Sequence, residues 1–194
     1  MSCCLIKEFN DVLDEEKLNK IKHFCSEANA NAQIGGGIDV TTNTQIRNAL
    51  VSTVSDDDLS YSNMYAGILW EKSKEYLKSF GKQLQFYEDH FDSAFKIEPI
   101  SFLKYKPGYF YKLHSDEAFL SQCQPDFARE LSYVFFVNEN FSGGGLSFPN
   151  QRKIIKPKAN TLIIFPSNWC FPHEVLPVTR GIRYSAVTWG GRIT

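Results

Sequence analysis

From about position 95 to 189 the chain is one short apolar run after another, each closed by a turn. The runs fall at 95–105, 109–114, 131–138, 145–148, 153–155, 161–165 and 182–189. Between them stand Lys106-Pro107-Gly108, Ser142-Gly143-Gly144-Gly145 and Lys156-Pro157-Lys158. Proline presets and glycine permits the backbone angles of tight turns, so these read as strands with punctuation. Helical patterns precede them, and helices followed by many strands predict an α+β domain. Its C-terminal part is then a β-sandwich or barrel, whose mouth can hold a small ligand.

The helical part lies in the first 81 residues. Over 14–29, Leu18, Ile21, Phe24 and Cys25 recur at helical spacing, opposite Glu15, Glu16, Lys17, Lys20 and Lys22. Asp14, Glu15 and Glu16 sit where a helix N-terminus favours negative charge. This helix is predicted to pack on a sheet. Residues 30–44 carry Gly35-Gly36-Gly37 among small polar residues, which is loop chemistry. A strand is predicted over 45–53, and 55–58 offers capping side chains for a second helix over 59–80. That helix has an apolar stripe of Met64, Tyr65, Ile68, Leu69, Tyr76, Leu77 and Phe80, with Gly81 as its stop. No repeat or proline-rich linker interrupts the chain, so residues 1–194 are expected to form a single domain.

Composition narrows the partners. Lys+Arg number 21 and Asp+Glu 22, a net charge of -1, so no broad basic field invites nucleic acid or an anionic membrane. No apolar run is long enough to span a bilayer, and the first residues lack a signal pattern; a cytoplasmic location is expected. The cysteines, Cys3, Cys4, Cys25, Cys123 and Cys170, are odd in number and lack paired metal-ligand spacing, which suits free thiols. His23 and His90 read as surface or half-buried helix and loop positions.

The chemistry concentrates in a few residues. The stretch YKPGYFYKLHSD ends in His114-Ser115-Asp116. In an extended strand, side chains two apart share a face, so the imidazole and the carboxylate project together. They make two-thirds of the two-histidine, one-carboxylate triad that holds a non-haem Fe(II) with open positions. His173, in FPHEV, is the third candidate; read alone, it fits the commoner role of a packed histidine in a loop between Pro172 and Pro177. If the strand TLIIF lies beside the one ending in His114, His173 closes the triad. Ten residues on, Arg183 opens the run RYSAVTW, where period two places Arg183, Ser185, Val187 and Trp189 on one face. A guanidinium entering an apolar interior needs an anionic partner. Glu174 is the acidic residue nearest in sequence, and a dicarboxylate cosubstrate is the alternative source of that charge. Arg180, before Gly181, reads as a solvent-facing turn residue, and Trp169 and Trp189 as barrel walls.

Three blocks, YKPGYFYKLHSD, VNENFSGGGLSFP and FPHEVLPVTRGIRYSAVTWGG, together resemble the prolyl 4-hydroxylase branch of the 2-oxoglutarate- and Fe(II)-dependent dioxygenases. QIRNALV, around Arg47, resembles the strand before the second helix of that family. The resemblance implies a double-stranded β-helix (jelly-roll) core with N-terminal helices packed on its major sheet. It assigns Fe(II) to His114, Asp116 and His173, and the far carboxylate of 2-oxoglutarate to Arg183. Tyr105 matches a tyrosine lining the cosubstrate pocket, or else is a barrel-wall aromatic; Tyr111 is a weaker match. Where several relatives have Tyr-Leu-Asn, this chain has Phe136-Val137-Asn138, so one hydroxyl is missing and Ser185 or Tyr105 is expected to replace it. The implied reaction consumes dioxygen and 2-oxoglutarate, releases succinate and CO2, and hydroxylates a prolyl residue of a peptide or protein, with ascorbate as a reductant. Arg47 and Trp189 are candidate substrate contacts, and the segments 30–44 and 117–130 could close over a peptide. The alternatives are a free amino acid or lysyl residue as target, or a non-catalytic jelly-roll binding module.

Overall fold

The computed structural model describes residues 5–32, 42–52, 59–81, 84, 91, 95–117 and 127–193, without the side chains of 59–64 and 193. Its first elements are strand β1 (Lys7–Asn10), helix α1 (Glu15–Ser26), strands β2 (Ala30–Asn31), β3 (Arg47–Asn48) and β4 (Leu50–Ser52), and helix α2 (Leu59–Ser79). Eleven strands follow: β5 (Phe95–Ile97), β6 (Ser101–Tyr105), β7 (Phe110–His114), β8 (Phe127–Phe136), β9 (Ser142–Gly143), β10 (Leu146–Phe148), β11 (Lys153–Ile155), β12 (Thr161–Pro166), β13 (His173–Val175), β14 (Val178–Arg180) and β15 (Arg183–Ile193). They form a major sheet ordered β1-β12-β8-β15-β6-β4-β2, with β5 also on β15, and a minor sheet ordered β11-β10-β13-β7-β3. Every pairing is antiparallel. This is the α+β jelly-roll architecture.

Both faces of the major sheet are covered, which explains why its central strands are almost continuously apolar. On β8, Tyr133 and Phe135 pack into the helix-side core, while Val134 and Phe136 enter the core between the sheets. On β12, Leu162 and Ile164 take the first role, Ile163 and Phe165 the second. The alternation continues on β15: Ala186 belongs to the helix side, whereas Arg183, Ser185, Val187 and Trp189 line the inter-sheet cleft.

Helix α1 starts where expected. The Asp14 carboxylate accepts from Lys17 N at 2.9 Å, closing the N-terminal turn. Ile21 and Cys25 are its buried face, and Lys104 Nζ donates to Ser26 O at 2.8 Å at its C-terminal end. Tyr65, Leu69, Tyr76 and Leu77 of α2 pack into the same core, and Gly81 takes a positive φ of 53° just after it.

Several strands differ from the sequence reading. The run 45–53 is two strands in different sheets: β3 pairs with β7 and β4 with β6. Ala49, fully buried, is the crossing point. The run 95–105 breaks around Pro99, which lacks the N–H a ladder needs. β15 runs past Gly190-Gly191 to Ile193, because those glycines form a bulge rather than a stop. A Cβ at Gly191 would lie 1.8 Å from Ala128 O, so no other residue fits that approach. Strands β1, β2, β13 and β14 went unpredicted; each has four residues or fewer, too short to show a period. The suggested capping run 55–58, Met64's side chain, His90, Cys3, Cys4 and Cys123 lie outside the described residues. So do most of the proposed closing segments, 33–41 and 118–126.

Candidate metal and cosubstrate site

A cleft between the sheets holds about 420 Å³ of empty space, part of it open to solvent. His114, Asp116, His173, Arg183, Ser185, Tyr105, Arg47 and Trp189 all line it. One ligand atom from each of His114, Asp116 and His173 lies within 4.8 Å of the others.

The route to this convergence differs from the one expected. TLIIF (β12) pairs with β1 and β8 in the major sheet, not with β7. His173 is not a loop residue either: it opens β13, which pairs with β7 so that His173 stands opposite His114. A register shift between His173 and Val175 sets Val175 opposite Tyr111. Tyr111 and His114, three apart, therefore both face the cleft and stack, with ring centroids 3.6 Å apart. Asp116 lies two residues beyond the end of β7. It is oriented from β8 instead: Ser132 Oγ donates to Asp116 Oδ2 at 2.8 Å, and Arg129 Nη1 donates to Asp116 O at 3.4 Å.

Backbone carbonyls determine the tautomers. His114 Nδ1 is 2.8 Å from Lys112 O, and His173 Nδ1 is 3.2 Å from Phe171 O. A carbonyl only accepts, so each Nδ1 carries a proton and each Nε2 is the ring nitrogen turned toward the cleft. Those nitrogens lie 3.5 Å (His114) and 3.4 Å (His173) from the two oxygens of Asp116. Burial lowers the His173 pKa further, which Asp116 opposes and His114 reinforces, so this imidazole is neutral at pH 7. Burial pushes Asp116 up, but the two imidazoles and the Ser132 hydroxyl outweigh it and keep the carboxyl well below its usual range. Three ligand-bearing side chains thus converge on one point, an arrangement that suits a cation. Two imidazole nitrogens and one carboxylate are the donor set that suits non-haem Fe(II).

Arg183 is the second anomaly. It is 1% exposed, yet among the described residues its Nε and Nη1 find no hydrogen-bond partner, nor does the buried Ser185 Oγ. Its guanidinium carbon sits 4.9 Å from the Tyr105 ring centre and 5.0 Å from that of Phe136. Burial pulls its pKa down to about 10, opposed by Tyr105, which leaves it charged at pH 7. A buried charge without an ionic partner is costly, and a bound carboxylate supplies what is lacking. Glu174 faces elsewhere among the strands: it pairs with Ser147 of β10 and forms no bond to Arg183.

The remaining sequence candidates fall as follows. Arg47 stacks over Tyr111 at 4.7 Å, and both lie on the cleft wall, as does Trp189, whose ring is covered by Arg129 at 3.8 Å. Trp169 is not a barrel wall: it is 72% exposed, in the turn between β12 and β13, and its backbone N–H donates to Glu117 Oε2. Arg180 is exposed as expected, but as the last residue of β14. Ser132, Ser167 and Arg129 were not singled out from sequence. The available signal was a lone hydroxyl, Ser132, inside the apolar run of β8.

Residues 100–191 match the model of the 2OG-Fe(II) oxygenase superfamily. Over this stretch, just under half of its length, the chain is similar to that superfamily. Within it, the likeness is to the prolyl 4-hydroxylase-like branch. A PKHD-type hydroxylase of Synechococcus sp. (strain JA-2-3B'a(2-13)) is 34% identical over 89 residues, 44% of this chain and 39% of that relative. The chain spans less than half the length of the curated relatives it matches. Two solved structures share the fold over nearly all of this chain. A viral collagen prolyl hydroxylase from Paramecium Bursaria Chlorella virus-1, in its 2OG complex, aligns with TM-score 0.69 at 17% identity, covering 99% of this chain and 98% of that one. A Pseudomonas putida prolyl-4-hydroxylase aligns with TM-score 0.64 at 21% identity, covering 98% and 95%.

Proposed function

We propose that this oxygenase hydroxylates an unactivated C–H bond, that of a prolyl residue in a peptide or protein, using Fe(II), 2-oxoglutarate and dioxygen. The observation that carries the reading is the pairing in one cleft of a converging two-histidine, one-carboxylate triad with a buried guanidinium, two of whose nitrogens lack a hydrogen bond among the described residues. His114, Asp116 and His173 would hold the metal, and Arg183 the far carboxylate of 2-oxoglutarate. When bound, this pair supplies the oxidative decarboxylation to succinate and CO2 that inserts one atom of O2 into the C–H bond.

The protein's own contribution is placement and exclusion. The carbonyls of Lys112 and Phe171 fix both imidazoles with Nε2 toward the site. Ser185 Oγ and the Tyr105 hydroxyl are the groups near Arg183 able to complete the carboxylate's hydrogen bonds, since Phe136 offers none. The apolar inter-sheet core around Leu103, Val134, Phe148 and Phe165 keeps water from the inner end. Arg47, Tyr111 and Trp189 on the cleft wall are the proposed contacts for the peptide. The prolyl target draws support from the names of the structural neighbours.

The test is an anaerobically loaded enzyme given 2-oxoglutarate, ascorbate and O2 with proline-containing peptides, lysine-containing peptides and free amino acids in parallel. A mass gain of one oxygen on proline, stoichiometric with succinate, supports the reading. Oxidation confined to another target changes the substrate class, and absence of succinate with every target leaves a non-catalytic binding module.

A further inference from the structure

Asp116 stands beyond the end of its strand, so something other than the β7 ladder must hold its carboxylate. Its Oδ2 accepts from Ser132 Oγ at 2.8 Å, and Ser132 Oγ lies 2.8 Å from Ser167 Oγ. Both serines are buried, at 0% and 1% exposure. An ionised carboxylate only accepts, so the single hydroxyl proton of Ser132 is committed to Asp116. Ser167 must then donate to Ser132, which fixes the direction of the chain: Ser167 to Ser132 to Asp116. Ser167 is itself anchored, its N–H donating to Glu130 O at 3.0 Å. Its carbonyl accepts from Ser115 Oγ at 3.1 Å, beside Asp116 in sequence. The relay thus joins β8, the residue after β12 and the segment after β7.

We propose that Ser132, backed by Ser167, is the positioning residue of the metal site: it holds the Asp116 carboxylate turned toward the two imidazoles before any metal arrives. The inference rests on the proposed metal site. A hydrogen bond to a ligating carboxylate limits its rotation and keeps its charge where the ligands converge; loss of such an outer partner typically weakens metal affinity by about 10–100-fold.

The experiment titrates Co(II) alone into the metal-free full chain, reading the visible absorption of the bound ion and its competition with a chelator. Ser132→Ala is expected to weaken Co(II) binding by about 10–100-fold and to alter the ligand-field bands, with Ser167→Ala in the same direction and smaller. Ser73→Ala is the control. Ser73 is an equally buried hydroxyl, paired with Tyr133 at 2.6 Å on the helix side of the sheet, and its loss should leave Co(II) affinity unchanged. If Ser132→Ala fails to fold, Ser167→Ala decides. Wild-type affinity in the serine variants, or an equal loss in Ser73→Ala, overturns the inference. Failure of the wild-type chain to bind Co(II) at all overturns the metal site itself, a separate outcome.

Discussion

His114 and His173 face each other across the β7–β13 ladder, with ring centroids 4.4 Å apart. Each is turned by a backbone carbonyl so that its Nε2 looks at Asp116. The ladder itself sets the spacing of the two rings, so the sheet does not need His114 to hold the site open. Replacing His114 with Ala should therefore leave the metal-free melting temperature unchanged or slightly higher. It should also remove the rise that Fe(II) or Co(II) produces in the wild type, since a ligand stabilises only the state that binds it. Thermal melts with and without metal check both halves. 2-Oxoglutarate turnover should fall to background in the variant, and in the wild type after chelation.

Arg183 carries a similar conflict between stability and use. Its charge is buried against two aromatic rings with two nitrogens unbonded. Met fills much of the same volume without a charge to desolvate. Arg183→Met is thus expected to stabilise the ligand-free protein, on the order of 1–4 kcal/mol by analogy with apolar replacement of buried ions. The same variant should lose cosubstrate binding. Chemical denaturation, run with and without 2-oxoglutarate and metal, measures the two effects together: 2-oxoglutarate should shift the midpoint of the wild type alone.

The sequence reading and the structure part company for physical reasons. His114 and Asp116 could be singled out by their His-x-Asp spacing, Arg183 because it opens an apolar strand, and His173 by its place after them in blocks that resemble the family. How they come together was not legible. TLIIF looked like the neighbour of β7, yet its continuous apolarity reflects two covered faces in the major sheet. His173 looked like a loop residue because β13 has only three residues between prolines. Trp169 looked like core because tryptophan usually is, but the turn that carries it projects it into solvent. Ser132 stood out only as a hydroxyl in an apolar run; its role was not legible, since it depends on Asp116 and Ser167, partners brought to it by different elements.

Phe136 allows the missing hydroxyl to be restored. Its ring lies 5.0 Å from the Arg183 guanidinium and pairs across the ladder with Ser185. Phe136→Tyr adds a donor beside the place where the 2-oxoglutarate carboxylate should sit. A hydrogen bond to a charged group is worth roughly 1.5 kcal/mol or more, about tenfold in affinity. Calorimetric titration of 2-oxoglutarate with a redox-inert metal should show that tightening. A weaker affinity would mean that the hydroxyl collides with Tyr105 or Ser185 instead.

Cys25 links helix α1 to the strand that carries Arg183. Its thiol is fully buried and donates to Ser185 O at 3.5 Å. Burial, the dominant cause, pushes its pKa from 9.0 up to about 12, against the lowering effect of backbone hydrogen bonds. The folded state thus keeps a proton that the unfolded chain releases near pH 9. Stability from this group is fully present below pH 9 and drains away as pH rises toward 12. Cys25→Ala removes the titration and leaves a small cavity, so it should be less stable at pH 7 yet lose less between pH 9 and 11. Denaturation midpoints across that range provide the comparison. Iodoacetamide at pH 8 should spare Cys25 in the folded protein and modify it once denatured.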